Sequence, residues 1–265
     1  MYQHPYNSCD LNIPQIKILE WIKPSSRILE LGCASGRVSQ LLTERLRCSV
    51  VGVENDAALS QLAKGVCARV IQGNIETQEI WKQLRGGYDY VLFLDVIEHL
   101  KDPCQVLRMC VEQCFSSETR LIVAVPNALV WHTRKEFLFG RFEYRSSGTL
   151  DRTHLRFFTL RSATKMLEES GFEITKLAIT WYFPVLSGLY SNWMRLANPK
   201  AVEKLREQLC LPSSFVSLLE EFSPAKHAVW VRRCNRMLGI PVRLCPGLFG
   251  NHFLFMARPL WTNQR

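Results

Sequence analysis

The sequence predicts an α/β fold with a mostly parallel sheet, because short apolar segments typical of strands alternate with segments of helical periodicity. Two further observations agree with a folded globular chain. Hydrophobic residues make up 47% of the 265 residues and charged residues 22%, and no apolar run is long enough to cross a bilayer. Strands joined by helices in this way form right-handed crossovers between parallel neighbours.

Five strands are predicted in the first half of the chain, each from its apolar residues and the turn that follows. The first ends at a glycine-rich turn, the fourth is almost wholly apolar, as suits a strand covered on both faces, and Pro126 ends the fifth. The predicted strands are Arg27–Leu31, Ser49–Glu54, Ala68–Gln72, Tyr88–Leu94 and Arg120–Val125. The predicted helices between them are Arg37–Arg47, Ala57–Lys64 and Pro103–Cys114.

The pattern changes after residue 126. A helix is predicted over Leu160–Ser170, with Gly171 as its C-cap, followed by a sixth strand over Phe172–Ile179 and a last strand over Phe253–Arg258. Between these two strands lies an aromatic and basic segment, with helical stretches near Ala201–Gln208 and Ser214–Glu221. We therefore divide the chain into a core at 1–180, an insertion or cap subdomain at 181–250, and the last strand with its tail at 251–265.

Charge and cysteine content bear on whether the protein meets a membrane and whether its cysteines form disulfides. The net charge is +9, and the chain from Trp181 onward carries 11 Lys and Arg against 4 Glu. Contact of this basic C-terminal third with an anionic membrane is an open alternative to a solvated surface. The ten cysteines form no Cys-x-x-Cys motif, and Met1 to Asp10 lacks the pattern of a secretory signal. We expect reduced thiols and a cytoplasmic protein.

A glycine-rich turn follows the first predicted strand. Gly32 and Gly36 let the backbone approach a ligand closely and turn its N–H groups toward it. The spacing is G-x-x-x-G and differs from the G-x-G-x-x-G of dinucleotide-binding enzymes. Glu30, at the end of the strand, can accept a hydrogen bond from a ligand ammonium.

Polar clusters also follow the next three strands. Glu54 ends the second strand, where a carboxylate can accept both hydroxyls of a ribose. Gly73–Glu76 follows the third strand and Asp95–Leu100 follows the fourth. Because the carboxyl ends of parallel strands lie at one edge of a sheet, these clusters predict a single ligand site.

The segments ILELGCASG, VVGVEND, GNIE and DVIEHLKDP resemble, in this order, the motifs of class I S-adenosylmethionine-dependent methyltransferases. The branch that fits best includes methionine-biosynthesis-like and ubiquinone O-methyltransferase-like proteins, and the resemblance extends through LDRTHLRFFT, over the first 180 residues. It implies a Rossmann-like, seven-stranded, mostly parallel sheet with an antiparallel last strand and, here, a helical insertion between the last two strands.

The resemblance also implies S-adenosyl-L-methionine as cofactor and assigns roles to residues. Glu30 would face the methionine ammonium, Glu54 would bind the ribose, and Asn74 with Ile75 would contact the adenine. The other predicted cofactor-binding residues are Gly32, Cys33, Ala34 and Gly36, which would line the methionine, together with Asn55, Asp95 and Val96. Two positions depart from the family pattern. Ala34 replaces a glycine and is tolerable at negative φ, and Asn74 replaces an aspartate.

Transfer to a hydroxyl requires a group that takes its proton. The candidate catalytic residues are His154 and His99, and for each a structural role in the loops is the alternative. Asp95, Glu98 and His99 form a D-x-x-E-H cluster similar to the E-x-x-E-H that is associated with a divalent metal in some quinone O-methyltransferases. We predict no metal and keep that site as an alternative.

The acceptor is expected to be a small molecule, a glycan or a lipid-linked intermediate, methylated on oxygen. The loop from Trp131 to Arg152 is aromatic and basic and is either a lid over the acceptor or a helix packed on the sheet edge. No nucleic-acid-reading motif accompanies the basic charge, so specific nucleic acid is not expected. Two alternatives remain: a non-catalytic protein that binds adenosyl ligands, and an NAD-dependent oxidoreductase, for which the dinucleotide motif is missing.

Overall fold

The computed structural model describes residues 14–84, 86–180 and 245–260, and its strands confirm the predicted α/β order. Two strands begin later than predicted, the third at Arg69 and the fourth at Tyr90. Just before the fourth strand, the carboxylate of Asp89 accepts a hydrogen bond from the backbone N–H of Arg27 at 2.7 Å. The strands are β1 (Arg27–Leu31), β2 (Ser49–Glu54), β3 (Arg69–Gln72), β4 (Tyr90–Leu94), β5 (Arg120–Pro126), β6 (Phe172–Thr180) and β7 (His252–Pro259).

The seven strands form one sheet in the order β3-β2-β1-β4-β5-β7-β6. All pairs from β3 to β5 are parallel, whereas β7 is antiparallel to both β5 and β6. This arrangement confirms the predicted mostly parallel sheet with a reversed last strand. The order reverses at β1, so the loops after β1 and β4 lie side by side, which is where open α/β sheets bind ligands.

Capping residues fix the helices that follow the site loops. Asp56 accepts a hydrogen bond from the N–H of Leu59 at 2.9 Å, and Asp102 accepts one from the N–H of Gln105 at 3.0 Å. The helices are α1 (Pro14–Lys17), α2 (Arg37–Leu46), α3 (Ala57–Ala63), α4 (Gln78–Trp81), α5 (Pro103–Cys114), α6 (Trp131–Leu138), α7 (Leu160–Glu169) and α8 (Pro246–Phe249). Single 3-10 turns lie at Ile18–Glu20 and Ile97–His99.

Apolar side chains cover both faces of the sheet. One core contains Phe93 of β4 and Leu107 of α5, and the other contains Leu92 of β4 and Leu42 of α2, all fully buried. Burial on both faces explains why β4 is almost wholly apolar. The polar clusters at the strand ends are therefore held on a rigid support.

The predicted helices near Ala201–Gln208 and Ser214–Glu221 lie outside the described residues. The end of the predicted insertion is described, because α8 lies within it. Asn127, just after β5, donates from Nδ2 to the carbonyl of Gly250 at 2.7 Å and so joins this segment to the sheet. In the described ranges, no helix combines the length and the apolar character that crossing a membrane requires.

Candidate active site

The loop between β1 and α2 packs closely on its neighbours, and, contrary to the expectation that its N–H groups turn toward a ligand, those of Gly32, Cys33, Ala34 and Gly36 donate within the protein. Gly32 has φ +75°, and a Cβ at this position would lie 2.5 Å from Cγ2 of Val96 in the loop after β4. The N–H groups of Gly32 and Cys33 both donate to the carbonyl of Val53, at 2.8 and 3.0 Å. Only glycine therefore allows the two loops to pack so closely.

Ala34 differs from the expectation. Its Cβ was predicted to be tolerable at negative φ, but its φ is +46°, in the left-handed region that disfavours a side chain. Its N–H donates to Oε2 of Glu54 at 2.8 Å, and a second N–H, from Asp56, donates to Oε1 at 2.9 Å. The Glu54 carboxylate thus holds the glycine loop in place and retains lone pairs for further donors.

Glu30 is buried at the end of β1. The hydroxyl of Ser39, from the first turn of α2, donates to Oε2 of Glu30. Burial raises the pKa of Glu30 to about 8, while the bond from Ser39 opposes that shift. A buried carboxyl with one donor has acceptor capacity to spare, which suits a ligand ammonium.

The loop after β3 places Asn74 and Ile75 differently from each other. Asn74 is exposed, and its Oδ1 accepts the N–H of Glu76 at 2.9 Å, so its side chain shapes the turn. Ile75 is buried, and its carbonyl accepts the indole N–H of Trp81 at 2.8 Å. Asn55, after β2, is exposed at the same edge. The adenine and ribose contacts expected of these residues stay predictions.

Asp95 connects the predicted cofactor-binding edge of the sheet with a second group of residues. Its φ is +57°, its N–H donates to the carbonyl of Ala124 at 3.1 Å, and its carboxylate lies 3.5 Å from Nε2 of His252. Sequence reasoning missed His252, which begins β7. The sequence could have indicated it only through the topology: β7 runs antiparallel to β5, so the first residue of β7 lies at the carboxyl end of β5, near the loop after β4.

Glu98, His99 and His154 lie close together in the wall of the cavity that Asp95 also lines. Both carboxylate oxygens of Glu98 are buried and have no hydrogen-bond partner among the described residues, and Oε1 lies 3.9 Å from Nε2 of His154. Nδ1 of His154 contacts the carbonyl of Thr149, and Nδ1 of His99 contacts that of Thr153, each at 3.1 Å. Because a carbonyl only accepts, Nδ1 of each ring is the donor in these contacts, and each Nε2 is turned away from them.

Burial sets the protonation of this cluster. Burial, followed by the nearby Asp95 charge, raises the pKa of Glu98 well above its usual range. Burial also lowers the pKa of His154. Both groups are therefore favoured in their neutral forms near neutral pH, and a neutral imidazole can accept a proton.

The same cluster fits the donor set of a metal site. The ligand atoms of Glu98, His99 and His154 lie within 4.8 Å of one another, and both orphaned oxygens of Glu98 are available. Sequence reasoning grouped Asp95 with Glu98 and His99. The structure brings His154 to them as well, and one carboxylate with two imidazoles suits a transition metal better than magnesium.

A cavity of about 350 Å³ opens beside the cluster. Much of its wall comes from the loop between Trp131 and Arg152, which the sequence analysis named as a possible lid without assigning its individual polar residues, apart from Arg145, to the site. Glu136 and Arg145 form an ion pair there. The other lining residues include Asp95, Glu98, His99, His132, Thr133, Ser147, Thr149, His154 and His252.

Aromatic rings lead from the surface toward this cavity. Phe142 stacks on Phe137 with centroids 5.4 Å apart and contacts Phe157 edge-on at 6.3 Å, and Phe157 contacts His154 at 6.3 Å. Within the described structure, Phe142 is 50% exposed, so these rings do not pack tightly on the sheet edge. The geometry of this loop favours a surface that meets a ligand over a buried helix face.

Comparison with known proteins agrees with this architecture. A family model described as a methyltransferase domain matches residues 9–177. Ubiquinone biosynthesis O-methyltransferase of Pseudomonas aeruginosa is 31% identical over 90 residues, which is 32% of this chain and 38% of that protein. The chain thus matches less than half the length of this curated relative.

Solved structures show the same fold. A SAM-dependent methyltransferase from Archaeoglobus fulgidus has a TM-score of 0.54 at 18% identity, and the match covers 92% of both chains. A SAM-dependent methyltransferase from Methanosarcina mazei has a TM-score of 0.53 at 13% identity, covering 92% of this chain and 97% of that one. At such identities the likeness concerns the fold alone.

Proposed function

The chain belongs to the methyltransferase-domain family, and from that premise we propose that it transfers the methyl group of S-adenosylmethionine to an acceptor oxygen. The proposed acceptor is a small molecule, a glycan or a lipid-linked intermediate. The O-methyltransferase among the relatives supports oxygen as the acceptor atom.

One observation carries the proposal: the four motif loops form a continuous edge that ends at the cavity. Glu54 bonds the Ala34 N–H, and its carbonyl accepts the N–H of Gly73 at 2.9 Å. Glu76 accepts the N–H of Lys101 at 2.8 Å, joining the loops after β3 and β4. A cofactor lying along this edge would have its sulfonium near Asp95, where the cavity begins.

The cofactor contacts follow from the chemistry of each group. Glu30 would accept the methionine ammonium and Glu54 the ribose hydroxyls, while the Gly32–Gly36 loop, whose Gly32, Cys33, Ala34 and Gly36 N–H groups donate within the protein, would line the methionine. Asn74 and Ile75 would lie at the adenine, and Asn55, Asp95 and Val96 would border the ligand. Buried carboxyls paired with a cation or hydroxyls gain charge-assisted hydrogen bonds.

Methyl transfer is an in-line displacement in which the acceptor oxygen forms a bond to the methyl carbon as the carbon–sulfur bond breaks. The sulfonium is already a good leaving group, so the protein must align the acceptor and remove its proton. We assign the proton to Nε2 of His154, whose neutral form burial favours, and His99 is the neighbouring alternative, with ring centroids 4.8 Å apart. The products are the methylated acceptor, S-adenosylhomocysteine and a proton.

A divalent ion is not needed for this route. If one binds, Glu98, His99 and His154 would hold it, and it would polarise the acceptor hydroxyl. In that scheme His154 is a metal ligand and does not take the proton. A chelator distinguishes the two schemes, because it would stop turnover only if the metal is required.

The test begins with calorimetric titration of the protein with S-adenosylmethionine, S-adenosylhomocysteine and NAD. Saturable binding of the two adenosyl ligands without NAD is expected. Mass spectrometry should then detect methylated products from a panel of phenols, sugars and polyprenyl-linked alcohols. Preference for NAD would refute the proposal, and tight adenosyl binding without turnover on any acceptor would favour a non-catalytic binding protein.

A further inference from the structure

Two cysteines of the cofactor edge lie against each other above β2. Cys33 follows Gly32 in the loop after β1, and Cys67 lies between α3 and β3. A Cβ built at Gly52 of β2 would lie 2.6 Å from Sγ of Cys33 and 3.2 Å from Sγ of Cys67. Glycine at this position therefore leaves the space in which the two sulfurs meet.

The two thiols differ in exposure and in the direction of their pKa shifts. Hydrogen bonding to Cys33 lowers the pKa of Cys67 to about 7, and Cys67 is partly exposed. The same interaction, together with burial, raises the pKa of Cys33, which is 3% exposed. Because the thiolate is the nucleophile and oxidants must reach it, Cys67 is suited to react first and Cys33 to react second.

Another cysteine pair provides a contrast. Cys110 and Cys114 are fully buried one turn apart in α5, and burial raises the pKa of Cys110 well above its usual range. The thiol of Cys114 contacts the carbonyl of Leu84 at 3.2 Å. Those surroundings disfavour a thiolate and keep oxidants out. Closeness of two cysteines is therefore not sufficient for oxidation, and Cys33 and Cys67 differ from this pair because one of their thiols is partly exposed and has a lowered pKa.

Cys67 is also connected to the proposed ammonium site. Its thiol donates to the hydroxyl of Ser39 at 3.1 Å, and that hydroxyl donates to Glu30. Val66, beside it, packs so closely on Gly36 that no side chain would fit there. We therefore expect a change at Cys67 to act on Ser39, which bonds Glu30, and on the packing of Val66 against Gly36, at the two ends of the Gly32–Gly36 loop.

We propose that hydroperoxides oxidise Cys33 and Cys67 to a reversible disulfide that weakens binding of S-adenosyl ligands. The Cys67 thiolate attacks one peroxide oxygen, the second oxygen leaves as hydroxide and takes up a proton, and Cys67 becomes a sulfenic acid. The Cys33 sulfur then attacks Cys67, its proton and the sulfenic oxygen leave as water, and the S–S bond forms. The peroxide accepts the two electrons.

The expected loss of affinity has a geometric cause. A disulfide holds its sulfurs about 2 Å apart, closer than two thiols in contact. Bond formation therefore draws Cys33 toward β3 and shifts the Gly32–Gly36 backbone, while the S–H donor to Ser39 is lost. The expected loss of affinity, unlike disulfide formation itself, rests on the proposed function, because that function identifies the ligand as an S-adenosyl compound.

The test treats the full chain with hydrogen peroxide at pH 7, blocks the remaining thiols and maps linked peptides by mass spectrometry. S-adenosylhomocysteine is titrated calorimetrically before oxidation, after it and after dithiothreitol. We expect a Cys33–Cys67 link, a Kd raised about fivefold or more, and recovery on reduction. Cys67→Ser should bind equally before and after peroxide, whereas Cys104→Ser, a partly exposed control in α5, should respond as the wild type does.

Three results overturn the inference: consumption of the Cys67 thiol without a link to Cys33, a link with unchanged Kd, or an equal loss of affinity in Cys67→Ser. Circular dichroism of the reduced variants checks that each is folded. If the reduced wild type does not bind S-adenosylhomocysteine, the proposed function fails instead, and peptide mapping still decides whether the disulfide forms.

Discussion

The carboxylate of Glu54 accepts the backbone N–H of Ala34 at 2.8 Å, so the end of β2 holds the loop after β1. The bond secures a non-glycine residue whose φ is +46°, in the left-handed region. Glu54 is therefore expected to act twice, as a ligand for the ribose and as a support for the loop that meets the methionine.

Glu54→Ala should weaken binding of S-adenosylhomocysteine by tenfold or more. The substitution removes acceptors for both the ribose and Ala34, and a hydrogen bond to a charged group contributes about 1.5–3 kcal/mol. Calorimetry measures the change, with Glu79→Ala, an exposed carboxylate of α4, as the matched control. Equal affinities in both variants would contradict the assigned site.

Gly32→Ala should lower both stability and cofactor affinity. The new Cβ would lie 2.5 Å from Cγ2 of Val96, at a φ of +75° that costs a side chain about 1–2 kcal/mol. Gly171→Ala separates the two effects, because Gly171 has φ +84° with nothing within 4 Å of a Cβ. We expect the control to lose stability alone, as measured by urea unfolding and by titration of S-adenosylhomocysteine.

The sequence predicts what local patterns encode and misses what only the folded chain brings together. The strand ends and their glycine turn are local, so the pattern alone could place Glu30, Gly32 and Glu54 at one edge of the sheet, while their ligand contacts stay predictions. The approach of His154 to Glu98 could not, because the loop after β5 returns to the loop after β4 only in three dimensions. The positive φ of Ala34 likewise depends on Glu54, which lies 20 residues further along the chain.

The contribution of Glu30 to the stability of the ligand-free protein should decrease as pH rises from about 5 to 8, whereas His154, whose pKa is lowered, contributes in the opposite direction below about pH 6.5. Glu30 keeps its proton in the folded protein, where its pKa is about 8, but loses it near 4.5 when unfolded. The folded state therefore binds the extra proton in this interval, and the free energy of unfolding falls by about 1 kcal/mol per pH unit for this group. Urea unfolding of Glu30→Gln should show a shallower dependence. Because Glu98 contributes in the same direction, some slope should remain.

His154→Ala should leave binding of S-adenosylhomocysteine unchanged and lower kcat by about 10²–10⁴ on an accepted hydroxyl substrate. The reason is loss of the imidazole that faces the cavity, with Nδ1 tied to Thr149 and Nε2 free. His154→Gln keeps a polar side chain of similar size but cannot accept a proton. A kcat restored by glutamine would assign His154 to positioning of the loop and leave His99 as the proton acceptor.

Treatment with EDTA should leave turnover unchanged. Displacement from a sulfonium requires no Lewis acid, and the lowered pKa of His154 already favours the free base. The competing scheme places a divalent ion on Glu98, His99 and His154, whose ligand atoms lie within 4.8 Å of one another. Under that scheme EDTA abolishes turnover, and one divalent metal restores it. Cobalt added to the chelated protein provides a readout without an acceptor: an absorption band that is lost in His154→Gln would show that the imidazole is a ligand. If no such band appears and the protein is fully active in EDTA, the imidazole of His154 accepts the proton without a metal.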